Sequence, residues 1–163
     1  MYRGETEGGN RKALPAERTE PEEAESEISA EGEDLMESLN VWGARPEEAM
    51  RKSIDDWDYY QKMLFRFSRN PLLSEADVLY LARDWKELYR CVHEIRGSAG
   101  MLGLMPLYRA AKELTGLLGG QRYEAEELPE ERICEVRKSL NDFDRERDRF
   151  LAIMQQHRIS EAS

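Results

Sequence analysis

The sequence lacks the segments and residues that mark membrane and secreted proteins. No run approaches the roughly 18 apolar residues that cross a bilayer, and no basic region followed by an apolar signal segment begins the chain. Of its 163 residues only two are cysteines. Cys91 and Cys134 are too few for a disulfide framework, and we interpret them as small, partly buried apolar side chains. These absences predict a soluble cytoplasmic protein without membrane insertion.

Clustered positive charge is also lacking. The formal net charge is −10, and residues 1–34 contribute 11 acidic and 4 basic side chains. Because nucleic acids and anionic lipids are bound by clusters of Lys and Arg, neither is an expected partner. Residues 1–34 hold too little apolar surface to offset the entropy of folding, so we predict a disordered acidic tail or linker. A folded domain is expected over residues 35–158, followed by a disordered C-terminus at 159–163.

Strand periodicity is missing beyond the tail, where apolar residues instead recur every three or four positions. Asp84, with Glu87 three residues later, is typical of a helix N-cap. Pro129 suits the first turn of a helix, since its missing N–H is not needed there. The helices are predicted over residues 55–69, 72–82, 84–102, 106–118 and 129–157. The pattern predicts an all-α fold, an up-and-down four-helix bundle with an additional short N-terminal helix.

The third of these helices has one apolar stripe and one face that carries polar residues and glycines. Its stripe contains Trp85, Leu88, Val92, Ile95, Ala99 and Leu102. At 3.6 residues per turn the opposite face contains Lys86, Tyr89, Arg90, His93, Arg96, Gly97 and Gly100. Each glycine inside a helix costs about 1 kcal/mol relative to alanine. We interpret the glycines as clearing the approach to His93, while Arg90 and Arg96 provide positive charge. Close packing of helices is the alternative explanation, and it is weaker for Gly97.

Several catalytic motifs are excluded by spacing. A zinc protease needs His-Glu-x-x-His, and Gly97 stands where the second histidine would be. The three glycines at 97, 100 and 103 follow helical periodicity, whereas a dinucleotide-binding loop follows a strand. Cys91 and His93 are two positions apart on a helix, so their side chains project to different sides and cannot form a catalytic dyad. We interpret His157 as an ordinary surface residue, and Trp42, Trp57 and Trp85 as core residues.

The segment "CVHEIRGSAGMLGL" at residues 91–104 resembles the phosphoacceptor motif of histidine-containing phosphotransfer (HPt) domains. The matching positions are His93, Ile95, Arg96, Gly97, Ser98, Ala99, Leu102 and Gly103. The segment "ARDWKELYRCVHEIRGSAG" resembles the helix that carries this motif, and "DYYQKMLFRF" resembles the first helix of the bundle. The resemblance extends from about Trp42 to His157. Arg96 replaces the more common lysine, which keeps the charge and changes its geometry.

This resemblance implies a phosphorelay intermediate. His93 would accept a phosphoryl group from the aspartyl phosphate of a response-regulator receiver domain and pass it to another receiver. Arg96 would steady the phosphoryl oxygens and Gly97 would admit the partner. The other residues of this face, Lys86, Tyr89, Arg90 and Gly100, would contribute to phosphoryl stabilisation or docking. The receiver would supply Mg²⁺ and most of the catalysis, so no cofactor, metal or autonomous kinase activity is expected in this chain.

The expected partners are receiver domains and a hybrid sensor histidine kinase, with this chain a monomer. It would be either a separate protein or the terminal module of a larger hybrid kinase, with the acidic tail as the linker. A non-phosphorylated bundle that binds a partner through the His93 face is the alternative function. An autonomous kinase has no support, because the sequence has no nucleotide-binding loop.

Overall fold

The computed structural model describes residues 30–53, 55–119 and 127–162. These residues form seven helices and no strand, which confirms the all-α prediction. The helices are α1 (Ala30–Trp42), α2 (Pro46–Ser53), α3 (Trp57–Ser68), α4 (Leu72–Leu81), α5 (Trp85–Met101), α6 (Met105–Leu118) and α7 (Glu130–Ala162). Within the described ranges, no helix has both the length and the apolar character needed to cross a membrane.

The helices pack as an up-and-down bundle in one compact unit that begins at Leu35. Helix α4 packs on α5, α5 on α6 and α6 on α7, while α3 contacts α7 and closes the bundle. Apolar stripes from these helices form the core. Its largest fully buried side chains include Tyr60, Phe143, Phe150, Leu88, Ile95 and Leu114. The arrangement confirms the predicted helical bundle with an N-terminal addition, and α1 and α2 make up that addition.

Helix α5 begins as the sequence predicts. The Asp84 carboxylate accepts a hydrogen bond from the backbone N–H of Glu87 at 3.3 Å, and this bond caps the first turn. The predicted stripe is buried throughout the helix, including Trp85 and Ile95. This burial fixes the rotation of α5 about its axis. The packing of α5 into the core therefore sets the direction in which His93 points.

The first and last helices continue beyond the residues 35–158 that the sequence assigns to the folded domain. Helix α1 begins at Ala30, so residues 30–34 are helical rather than disordered. Leu35 and Leu39, one turn apart on α1, are almost completely buried, and this burial stabilises the helix. Helix α7 continues through Ala162, so residues 159–162 are also helical. The predicted disorder of residues 1–29 lies outside the described residues.

The prediction that His157 is an ordinary surface residue was wrong. Its side chain is buried, and its Nε2 lies 3.2 Å from the hydroxyl of Ser38 on α1. The partner is 119 residues away in sequence, so only the packing of α1 against α7 brings the two together. Cys134 is exposed, contrary to prediction, whereas Cys91 is buried.

Of the three tryptophans that the sequence assigns to the core, only Trp85 is fully buried. Trp42 and Trp57 are half-buried and pack against the core. The indole N–H of Trp42 donates a hydrogen bond to a carboxylate oxygen of Glu146 at 2.8 Å. Its ring also stacks on Phe150, with the centroids 6.0 Å apart. Trp42 therefore joins α1 to α7 and keeps its polar atom paired.

Candidate functional site

His93 projects from the solvent-facing side of α5 and is exposed. The ring of Tyr89, one turn earlier, stacks against the imidazole with the ring centroids 5.5 Å apart and the planes inclined by 29°. Tyr89 itself is half-buried and packs against the core. The imidazole is thus supported on one face by a ring that is held in place, and it remains open to a partner.

Arg96, one turn beyond His93, lies at the interface between α5 and α6. It is half-buried, and its Nη1 donates a hydrogen bond to Oγ1 of Thr115 at 3.3 Å. The Thr115 hydroxyl is buried and donates in turn to the backbone carbonyl of Lys112 at 2.9 Å. No carboxylate of the described residues lies within ion-pairing distance of Arg96. The guanidinium is therefore positioned by a neutral group and keeps its charge for a ligand.

The other cations on this face differ in their pairing. Arg90 is exposed and makes an ion pair with Glu87, with 2.8 Å between Nη1 and the carboxylate oxygen. Glu87 therefore pairs with Arg90 instead of returning to the N-cap. Lys86 is exposed and makes no ion pair with the described part of the chain. Three cations lie near His93, namely Lys86, Arg90 and Arg96. Within the described part of the chain, Arg90 is the one whose charge is offset by a carboxylate.

The two glycines of this helix have different surroundings. A Cβ added at Gly97 would meet no atom of the described residues within 4 Å, so these residues leave the space beside Gly97 open. A Cβ added at Gly100 would lie 3.1 Å from the ring of Tyr108 on α6. Gly100 is half-buried and allows this ring to approach α5 closely. The packing explanation therefore applies to Gly100, whereas Gly97 lies in open space on the face of the histidine.

Cys91 faces the opposite direction from His93, as the helical spacing requires. Its buried Sγ lies 3.3 Å from the carbonyl oxygen of Leu72, to which the thiol donates a hydrogen bond. Burial, together with smaller contributions from the charges of Glu75 and Glu94, raises the pKa of Cys91 to about 11. A thiol with such a pKa stays protonated near neutral pH and is a poor nucleophile.

Two features of this region are not evident from the sequence. Thr115 was not recognised as the partner of Arg96, although a small polar residue beside the apolar stripe of α6 is a weak signal for such a role. The second feature is a groove of about 570 Å³ beside Gly97, with one wall formed by α2 and its preceding residue Arg45. No sequence signal links α2 to α5, because their contact depends on the turn that follows α5.

The arrangement is suited to nucleophilic attack on an anionic group. An exposed imidazole, an unobstructed approach at Gly97 and a cation without a carboxylate partner lie on consecutive turns of one helix. No group of three or more His, Cys, Asp or Glu side chains in the described ranges is arranged to hold a metal ion.

Comparison with known protein families gives one match. The model of the Hpt domain matches residues 64–146, which is just over half of the chain. The matched segment contains His93 and runs from the second half of α3 to the middle of α7. Among curated proteins and among solved structures, no match to the chain was found.

Proposed function

The chain belongs to the Hpt domain family, and from this we propose that His93 is its phosphoacceptor. Hpt domains carry phosphoryl groups on histidine in two-component signalling and are carriers rather than catalysts. His93 accepts the group from the aspartyl phosphate of one receiver domain and passes it to the aspartate of another. The observation that carries this proposal is the exposed imidazole beside Gly97 and beside Arg96, which has no carboxylate partner among the described residues.

The transfer exchanges one phosphorus bond for another. A ring nitrogen of neutral His93 attacks the phosphorus in line with the leaving oxygen, and the bond between phosphorus and the aspartate oxygen breaks. The electron pair stays on that oxygen as a carboxylate, and the imidazole then carries the phosphoryl group. Transfer to the second receiver is the reverse reaction with a different aspartate. Such reactions depend mainly on positioning and on stabilising the equatorial phosphoryl oxygens.

The residues around His93 supply the positioning. Tyr89 supports one face of the imidazole and restricts the rotation of its side chain. Arg96, held by Thr115, offers hydrogen-bond donors and positive charge one turn away. Gly97 leaves room for the receiver to close over the histidine. Lys86 and Arg90 lie at the edge of the docking surface, where they attract the negatively charged phosphoreceiver. The Mg²⁺ that the chemistry requires belongs to the receiver.

Transfer from a radiolabelled phosphoreceiver to the wild-type protein and to His93→Gln tests this proposal. The panel of donors includes receivers of hybrid sensor kinases. We propose that the protein acts as a cytoplasmic monomer. We expect label on the wild type that is labile in acid and stable in base, and none on His93→Gln. Because His93 is exposed, its replacement should change the free energy of unfolding by less than about 0.5 kcal/mol. Circular-dichroism melting checks that both proteins are folded.

Label on a folded His93→Gln protein would disprove the assignment of His93. An unlabelled wild type that still binds receivers, with equal affinity in both forms, would favour the alternative of a non-phosphorylated interaction module. Label from ATP without any receiver would indicate an autonomous kinase.

A further inference from the structure

The groove beside Gly97, here called the α2 groove, is open to solvent next to the phosphoacceptor. Its walls include Arg45, Glu48 and Lys52 on one side and Arg96, Gly97 and Gly100 on the other. Gly97 lies one helical turn beyond His93, about 6 Å along the axis. A partner that covers His93 therefore reaches the groove without leaving the same face of the protein.

Helix α2 is held rigidly at this position by the turn after α5. The backbone N–H of Arg45 donates to the carbonyl of Gly103 at 2.8 Å. A Cβ on Gly103 would lie 2.5 Å from the carbonyl oxygen of Arg45 and 2.8 Å from Cβ of Ala49. Gly103 also has a φ of +75°, which side chains rarely adopt. The glycine therefore lets α2 rest directly on the end of α5, and α2 lies outside the segment matched by the family model.

The α2 groove is positive although the protein is acidic. Among the described residues that line it, Arg45, Lys52 and Arg96 carry three positive charges and Glu48 is the one acidic residue. Lys52 Nζ lies 3.2 Å from Glu48, and the Arg45 guanidinium lies 3.9 Å from the same carboxylate. The side chains of Arg45 and Lys52 are 65% and 74% exposed, so both remain accessible. Two positive charges in excess favour an anionic ligand.

We propose that the α2 groove docks an acidic segment of the receiver domain that exchanges phosphoryl groups with His93. The inference rests on the proposed function and identifies the part of the partner that is recognised. The groove lies one helical turn from His93, so its excess positive charge favours an acidic segment of the receiver that reaches the groove when the aspartyl phosphate lies at His93. Charge complementarity across such a contact accelerates association and selects among partners. Helix α2 thus makes the phosphoacceptor face selective for receivers with an acidic segment at this position.

Two adjacent residues of α2 provide a matched test. Lys52 lines the groove, whereas Arg51 is exposed and does not line it. Lys52→Glu and Arg51→Glu change the net charge equally and place the same residue in the last turn of the same helix. Transfer from a phosphoreceiver that labels the wild type is measured by rapid quench over a range of receiver concentrations. We expect Lys52→Glu to raise the half-saturating concentration about fivefold to tenfold.

The maximal rate of Lys52→Glu should remain within about twofold of wild type, because only docking is affected. The half-saturating concentration and the maximal rate of Arg51→Glu should both stay within about twofold of the wild-type values. The difference between the variants should shrink when ionic strength rises from about 0.05 to 0.5 M. Equal half-saturating concentrations for the two variants would overturn this inference and leave the role of His93 intact. Failure of the wild type to accept label from any receiver would overturn the proposed function and this inference together.

Discussion

Two half-buried arginines of this bundle have opposite surroundings. Arg147 on α7 lies within 3.4 Å of carboxylate oxygens of Asp77, Asp144 and Asp148. It also donates a hydrogen bond to the carbonyl oxygen of Leu73 at 3.0 Å. Arg96 on α5 donates to one hydroxyl and, among described residues, has no carboxylate partner. Among the described residues, three carboxylates therefore surround Arg147 and none pairs with Arg96.

This difference indicates a structural role for Arg147, whereas Arg96 is suited to bind an anionic ligand. Arg147 interrupts the apolar stripe of α7 and joins that helix to α4 through Asp77 and the carbonyl of Leu73. Burial alone would lower the pKa of Arg147, but the charges of Asp144, Asp148 and Asp77 outweigh burial and raise it. Arg96 is fixed by a neutral partner, which orients the guanidinium without cancelling its charge. A half-buried charge without a counterion fits a site that receives an anion.

Removal of the charge at Arg147 should have the largest effect. Arg147→Met keeps much of the apolar stem but leaves three carboxylates clustered without their cation. We expect a loss of about 3 kcal/mol in the free energy of unfolding, measured with urea at pH 7. Arg145→Met on the same helix removes an exposed ion pair and should cost less than about 0.5 kcal/mol. Equal stability of these two variants would show that Arg147 is not a structural centre.

The corresponding change at Arg96 should affect transfer rather than stability. Arg96→Gln keeps a donor for Thr115 and removes the positive charge, so phosphoryl acceptance should slow about tenfold to hundredfold. The free energy of unfolding should change by less than about 1 kcal/mol. Arg96→Lys should retain most of the rate because it retains the charge. Wild-type transfer by a folded Arg96→Gln protein would contradict the proposed role.

The aspartates around Arg147 predict an unusual dependence of stability on pH. The pKa of Asp144 is raised from 3.8 to about 7, mainly by burial and also by a hydrogen bond with Asp77, while the charge of Arg147 opposes the shift. The folded state therefore keeps a proton that the unfolded chain loses near pH 4. The stability contributed by this group is fully present below about pH 4 and is lost as the pH rises to about 7.

Asp144→Asn replaces the titrating carboxyl group with a neutral amide. Comparison with the wild type therefore isolates the contribution of Asp144 to the pH dependence of stability. At pH 8 the variant should be more stable than the wild type by about 1 to 2 kcal/mol, a figure reduced from the full shift to allow for solvent screening. At pH 4 the two proteins should have similar stability. Urea unfolding of both proteins at the two pH values measures the difference. If the stability of the wild type relative to Asp144→Asn instead increased with pH, the raised pKa would be contradicted.

The smallest effect is expected at Thr115, which positions Arg96. Thr115→Val removes the hydroxyl and leaves the charge, so transfer should slow only about threefold. Thr115→Ser should restore the rate. In an Arg96→Gln background, Thr115→Val should cause little further loss of transfer if its effect acts through Arg96. Additive losses in the double variant would indicate a separate structural role for Thr115.

Much of the bundle is predictable from sequence because its signals are local. The stripe of α5 and its Asp84 cap depend on neighbours within a few positions, and both were predicted correctly. The burial of His157 was not, because it depends on Ser38 of α1, which lies 119 residues away in the chain. Composition suggests that the acidic residues 30–34 are unfolded, whereas the helix that follows extends through them.

The sequence by itself determined the helical class and the face of α5 that bears His93, because helical periodicity links spacing directly to direction. It also contains the motif from which we propose His93 as the phosphoacceptor. Only the tertiary structure decided the separate surroundings of the two glycines, since Tyr108 approaches Gly100 whereas a Cβ at Gly97 would meet no described atom within 4 Å. It also decided which of the two arginines has carboxylate partners among the described residues, and it placed α2 beside Gly97. These outcomes depend on contacts between residues far apart in the chain, which local spacing does not encode.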